Sequence, residues 1–346
     1  MARSGSPEGR VRAESGPTWQ CYRMQFSAED LAWATEVVGR RVPPTPQYVW
    51  PLLADQIGAE VWVKHENHTP TGAFKVRGGL VYAERLRNER PEVKGIISAT
   101  RGNHGQSLAF AGRAAGVDVT IVVPDRNNPD KNAAMRAFGA ELIVHGHDFQ
   151  AAREHAGVIG DERGLETVPS YHPDLVLGVA TYAQELFDAA GELDAVYVPV
   201  GMGSGISGII GVRDLLGLHT EVVGVVAEQA PATALSVAAG RVIATDDANT
   251  FVDGVACRSP DPDAISVISA GASRILSVSE DDAANAMRLL FVTTHNVAEP
   301  AGALALAGLV IERSWAAGRR VAVIQTGGNA DADQFVSVLG GRTPTP

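Results

Sequence analysis

The stretch Asp194-Ala-Val-Tyr-Val-Pro-Val-Gly-Met-Gly-Ser-Gly-Ile-Ser-Gly208 decides the fold. A β-branched run, Asp194–Val200, breaks at Gly201, and a helical pattern follows over Ser207–Leu216. An apolar run without polar alternation is a strand buried on both faces, and strand, glycine turn and helix together make one unit of a parallel sheet. Gly201, Gly203 and Gly205 let backbone amides close on a phosphate at the helix start. Gly203, Gly205 and Gly208 also spell G-x-G-x-x-G, and Glu228 ends the next strand run at the ~20-residue spacing of a dinucleotide fingerprint. A phosphorylated cofactor follows from this stretch, and a nicotinamide cofactor with oxidoreductase chemistry is one candidate.

The same alternation runs outward in both directions. Strands are predicted over Glu60–Lys64, Gly95–Ala99, Val117–Pro124, Glu141–His145, Glu221–Ala227 and Arg320–Gln325, with helices over Asn103–Ala115, Asp148–Arg163 and Leu175–Ala190. An earlier helix should open at Ser27, where Ser27 and Asp30 have capping-box spacing, and end before the prolines of Arg41–Pro46. The fold class is therefore α/β, with two parallel-sheet domains. A large domain is expected from residues 19–94 and 171–346, a small one from 95–170 inserted into it, and a disordered tail over 1–18.

Composition narrows the function. The chain has 346 residues, 29 Lys plus Arg against 40 Asp plus Glu, and a net charge of −11. That acidity excludes a phosphate-backbone binder, so no nucleic-acid partner is expected. The longest apolar run, Ala301–Ile311, is far short of the ~20 residues a membrane helix needs. The N-terminus lacks an apolar leader, and two cysteines, Cys21 and Cys257, cannot frame a disulfide scaffold, so a cytoplasmic protein is expected. His65 with His68 and His145 with His147 lack the acids or cysteines of a metal site, and no metal is expected. There is no G-x-S-x-G elbow and no P-loop.

Three further glycine-marked strand ends carry chemistry. Thr69-Pro-Thr-Gly-Ala-Phe-Lys-Val-Arg-Gly-Gly79 puts Lys75 near a helix start, where the positive end of the helix dipole disfavours a cation and depresses an amine's pKa. Ser98-Ala-Thr-Arg-Gly-Asn-His-Gly-Gln106 is a strand, turn and helix start suited to a carboxylate or phosphate. Gln325-Thr-Gly-Gly-Asn329 aims a threonine hydroxyl from a strand end into a ligand crevice. Taken singly, each reads equally as an ordinary turn or a solvated lysine.

In that order, and with Gly254-Val-Ala and Glu299-Pro-Ala-Gly-Ala, these motifs resemble the fold-type II pyridoxal-phosphate enzymes. Within them they are similar to the serine/threonine dehydratase and serine racemase family, from about Ser27 to the C-terminus. The resemblance implies a tryptophan synthase β-like fold, pyridoxal 5′-phosphate as cofactor, a small amino-acid substrate and a homodimer. Lys75 would carry the cofactor covalently, with Phe74 beside its ring and Asn103 at its 3-hydroxyl. Gly201, Met202, Gly203, Ser204 and Gly205 would hold the phosphate, Thr326 the pyridine nitrogen, and Gly254 and Glu299 the other ring edge. Thr100, with the amides of Asn103 and His104, would take the substrate carboxylate.

The implied activity is a lyase reaction, β-elimination from L-threonine, L-serine or a related β-hydroxy amino acid to a 2-oxo acid and ammonia. Freed Lys75 would remove the Cα proton, and the β-hydroxyl would leave protonated by the cofactor phosphate or by Lys75. A 3-hydroxyaspartate or bulkier β-hydroxy amino acid ammonia-lyase, and a β-replacement or threonine synthase-like enzyme, are the alternatives within the family. A nicotinamide oxidoreductase leaves Lys75 and Asn103 unexplained.

Departures from the family pattern sharpen the expectation. Arg101 stands where a serine donates the opposite-face proton in racemases, and a permanently charged guanidinium does not do so. Arg101 would instead grip a second substrate carboxylate, or point to solvent. Ala73 replaces a Ser or Thr before Phe-Lys, and Met202 and Ser204 replace glycines of the phosphate loop. Ala234 stands where the family's cation site has its second acid after Glu228. The chain ends at Pro346, which implies a form without the regulatory C-terminal domain of biosynthetic members.

Overall fold

The computed structural model describes residues 26–147 and 149–345. The expected tail and Cys21 lie outside them. The strands are β1 (Gln47–Val49), β2 (Glu60–His65), β3 (Gly95–Ala99), β4 (Asp118–Val123), β5 (Glu141–Val144), β6 (Glu166–Thr167), β7 (Ala195–Pro199), β8 (Glu221–Ala227), β9 (Arg274–Val278) and β10 (Arg320–Gln325). They form a six-stranded sheet, β1-β2-β10-β7-β8-β9, and a four-stranded sheet, β5-β4-β3-β6. The smaller sheet is built only from residues between Gly95 and Thr167, and the larger from strands on both sides of it. This is the expected α/β architecture.

Burial on both faces explains the continuous apolar strands. In β7, Ala195 and Tyr197 enter the core on one side of the sheet, while Val196 and Val198 enter the core on the other. β10 divides the same way, with Val321 and Val323 against Ala322 and Ile324. Helices cover both faces, which is the geometry parallel strands require.

The pairing is parallel throughout except at one edge, where β1 runs antiparallel to β2. The prolines at Pro43, Pro44 and Pro46 mask this short strand in the sequence, because they read only as a helix stop. β9 and the two-residue β6 were also not predicted; both are edge strands with partly exposed residues. The helix Ala28–Gly39 opens as expected. Ser27 Oγ accepts from the Asp30 amide at 3.0 Å, and the Asp30 carboxylate accepts from the Ser27 amide at 2.9 Å.

Candidate active site

Ligands of open α/β sheets lie beyond the carboxyl ends of the strands. Here β2, β10 and β7 are neighbours, and the segments that follow them converge on one cavity. Phe74 and Lys75 come from the segment after β2, Thr326 from the end of β10, and Gly201–Gly205 from the turn after β7. Asn103, Gly254 and Glu299 complete the wall, together with Pro199, Val255 and Ala301. The turn before Lys75 is locked to the end of β10, since the Phe74 amide donates to the Thr326 carbonyl at 3.0 Å. Gly72, at φ +70°, makes that turn possible; a Cβ there would lie 2.4 Å from Asn329 Oδ1.

Lys75 is the first residue of the helix Lys75–Glu89, which has no side-chain cap and no acid in its first turn. Among the described residues its ammonium makes no hydrogen bond or ion pair; it lies 4.9 Å from the Phe74 ring centroid. Burial lowers its pKa, and Glu299 acts against that. The amine is therefore enclosed, unpaired and biased toward its nucleophilic form.

A buried ion cluster fixes the turn that bears it. Two residues on, Arg77 is fully buried, and its Nε and Nη2 fork onto Glu66 at 2.8 and 2.9 Å. Nη1 and Nη2 reach Glu185 at 2.6 and 2.9 Å, and Nη1 also reaches Thr181 at 3.0 Å. Lys64 donates to Glu185 at 2.5 Å and to the Thr45 carbonyl at 3.1 Å. All five guanidinium donors are used, and the two cations balance the two acids. Sequence reading missed this cluster: Lys64 and Glu66 straddle a strand end, and Glu185 lies on a helix far along the chain.

The turn after β7 leads into the helix Ser204–Leu215, whose N-cap, Gly203, is left-handed at φ +98° and makes no side-chain cap bond. The helix opens three residues before its predicted start, so Ser204 and Gly205 bring first-turn amides to the cavity. Such an end is a ready anion site. Met202 is backed by the buried Cys257 thiol, 3.4 Å from its sulfur, and burial pushes that thiol up to about 11.

Asn103 does not cap its own helix; Gly102 holds that position. Asn103 Nδ2 donates to Glu299 at 2.7 Å, and Asn329 Nδ2 donates to Asn103 Oδ1 at 2.8 Å. The second bond gives Asn329 a role its motif alone did not show. Burial pushes the Glu299 carboxyl up to about 7, with nearby Lys131 acting against the shift. Its folded pKa exceeds the ordinary 4.5, so its contribution to stability is full below pH 4.5 and lost as the pH rises to about 7. Glu299→Gln should therefore gain stability over the cofactor-free wild type across that window, on the order of 2–3 kcal/mol by pH 8. Thermal unfolding of the two proteins at matched pH checks this; a constant difference from pH 4 to 8 contradicts it.

Residues 39–327 match the family described as Pyridoxal-phosphate dependent enzyme. The chain belongs to that family. It is 31% identical over 320 residues to L-threo-3-hydroxyaspartate ammonia-lyase from Pseudomonas sp, covering 92% of this chain and all of that one. It is 29% identical to the protein of the same name from Saccharomyces cerevisiae, over 92% of this chain and 97% of the other. Among solved structures, the processed form of threonine deaminase isoform 2 from Solanum lycopersicum superposes with a TM-score of 0.84 at 25% identity, covering 92% of this chain and 95% of that one.

The enzyme's cavity fits the family's cofactor. The unpaired Lys75 amine suits an aldehyde, and the uncapped glycine-bordered helix end suits a phosphate. The turn is a tight cradle, since a Cβ on Gly201 would sit 3.0 Å from the Gly254 carbonyl. The buried His104 Nε2 has no hydrogen-bond partner, and its pKa is pushed down to about 3 by burial and by Lys75, which keeps the ring neutral. The family's cofactor is pyridoxal phosphate, so the nicotinamide reading of the G-x-G-x-x-G stretch is set aside.

The predicted substrate residues Thr100, Arg101 and His104 are not among those that line the cavity. Thr100 and His104 are buried, and Thr100 Oγ1 accepts from the Gly102 amide at 3.1 Å. Arg101 is exposed and makes no hydrogen bond or ion pair among the described residues. His65 is a structural histidine, accepting from Trp50 Nε1 at 3.0 Å and donating to Gln325 at 2.8 Å. Among the described residues no group of three or more His, Cys, Asp or Glu is placed to hold a metal, and no helix is long and apolar enough to cross a membrane.

Proposed function

We propose that the enzyme is an ammonia-lyase that converts L-threonine, L-serine or a related β-hydroxy amino acid to a 2-oxo acid and ammonia. The observation that carries this is the enclosed, unpaired Lys75 amine in the same cavity as an uncapped helix end. When bound, pyridoxal phosphate draws electrons from the substrate's α-carbon, so that the proton there becomes acidic and the β-hydroxyl can leave.

The chain supplies the rest. Lys75 holds the cofactor, and its freed Nζ takes the α-proton and delivers one to the leaving hydroxyl. The amides of Gly201, Met202, Gly203, Ser204 and Gly205 bind the phosphate. Asn103, braced by Asn329 and Glu299, would hold the ring's 3-hydroxyl, with Phe74 and Gly254 beside the ring. Thr326, in the cavity wall, would serve the ring nitrogen; a hydroxyl would not hold that nitrogen protonated as a carboxylate would, which would temper electron withdrawal and favour prompt loss of the β-hydroxyl. Thr100 and the first amides of the Asn103 helix take the α-carboxylate.

The similarity of full-length relatives named as ammonia-lyases supports the reaction class. The family resemblance favours a homodimer, and two cysteines in 346 residues favour a reducing cytoplasm. The test is stoichiometry: reconstituted enzyme given L-threonine, L-serine and L-threo-3-hydroxyaspartate in turn should release ammonia and 2-oxo acid in equal amounts from at least one. Absence of both products from all three contradicts the proposal.

A further inference from the structure

Lys131 is nearly buried, borders the site and has no place in that scheme. It lies in the first turn of the helix Pro129–Ala137, which packs beside the four-stranded sheet, and its side chain is only 12% exposed. The helix start is tied across to the other half of the molecule, where Asn128 Nδ2 donates to Asp331 at 2.5 Å. The lysine stem lies on Gly102, since a Cβ there would come within 2.9 Å of Lys131 Cδ. Its ammonium donates to Asp253 Oδ2 at 2.5 Å, one residue before the cavity residue Gly254.

An ammonium has three donors. Asp253 takes one, and the other two meet no protein acceptor among the described residues. Burial works against the charge, but Asp253, Glu299 and Asp331 outweigh it and keep Lys131 protonated. Arg101, also without a partner among the described residues, adjoins Gly102 in the chain. Two cations with unused donors therefore flank the residue that precedes the proposed α-carboxylate site.

We propose that Lys131, with Arg101 beside it, forms a second anion subsite that selects β-hydroxy amino acids carrying a distal carboxylate. This rests on the ammonia-lyase reading and narrows its substrate class. A distal carboxylate would accept the donors Asp253 leaves free, and partial burial strengthens that contact. A substrate with a methyl or hydrogen there offers no acceptor, and Lys131 stays with Asp253 alone.

The test compares wild-type holoenzyme with Lys131→Met and Lys131→Arg. The measured quantity is kcat/KM for L-threo-3-hydroxyaspartate divided by kcat/KM for L-threonine. Lys131→Met should lower that ratio about 10- to 100-fold, the loss of a charge-assisted hydrogen bond, and Lys131→Arg should recover part of it. A binding readout is independent of turnover. L-aspartate carries the distal carboxylate without a β-leaving group, and L-alanine carries neither, so titrating each against the visible band gives two Kd values. Wild type should prefer L-aspartate, and Lys131→Met should erase the preference. Equal losses on both substrates, no change on either, or a wild type that binds L-aspartate no better than L-alanine overturns the subsite. A wild type that turns over neither of these nor L-serine contradicts the ammonia-lyase reading, while the aspartate-to-alanine preference still judges Lys131.

Discussion

Lys75→Ala should yield a folded, colourless protein with no measurable turnover. Two losses combine: the covalent hold on the cofactor, and the base at the α-proton, itself worth about 10²- to 10⁴-fold. The fold should not suffer. The Lys75 ammonium makes no hydrogen bond or ion pair among the described residues, and its pKa is lowered because burial disfavours its charge. Removing a desolvated, unpaired ammonium relieves a cost rather than creating one, so the cofactor-free variant should melt at or above the wild-type temperature. Thermal unfolding of the two cofactor-free proteins and the absorbance of both after reconstitution check this. A colourless variant that remains fully active contradicts the role given to Lys75.

The opposite pattern is expected two residues on. Arg77→Met removes the cation that forks onto Glu66 and Glu185, and Glu66 is fully buried. Breaking a buried pair from one side leaves an uncompensated charge and costs about 3–5 kcal/mol. That is a large part of the roughly 5–15 kcal/mol by which domains are stable. Lys64, itself fully buried, stays on Glu185 and the Thr45 carbonyl and makes no hydrogen bond to Glu66 that could replace the lost fork. Cofactor retention should weaken as well, because Arg77 anchors the turn that aims Lys75. Arg77→Lys keeps the charge without the fork and should fall between the two. Urea unfolding with and without cofactor reads both effects. A midpoint unchanged in Arg77→Met contradicts the account of the cluster.

What was legible in the sequence follows a physical division. The buried strands announce themselves because both faces need apolar side chains, so β7, β8 and β10 read as unbroken runs. The glycine turns are equally plain, because Gly72 and Gly203 take backbone angles that other residues resist. The edge strands β1 and β9 are not plain. They are short, partly exposed and flanked by prolines or polar residues, and they carry none of the two-faced burial that marks the centre.

The electrostatic supports were illegible for a different reason. Arg77 meets Glu185, and Lys131 meets Asp253, across more than a hundred residues of chain. A lone charge in a sequence reads as solvated until its partner is placed. Arg101 shows the converse. Its departure from the family pattern was visible, but only the placement of Lys131 against Gly102 gives that arginine a cationic neighbour.

The most direct test of the central claim is the visible spectrum of the reconstituted enzyme, before and after L-threonine or L-threo-3-hydroxyaspartate is added. A yellow protein whose band shifts on mixing, with 2-oxo acid accumulating as the band recovers, is the expected result. A protein that stays colourless after incubation with pyridoxal phosphate, or a band that neither substrate moves, would contradict it.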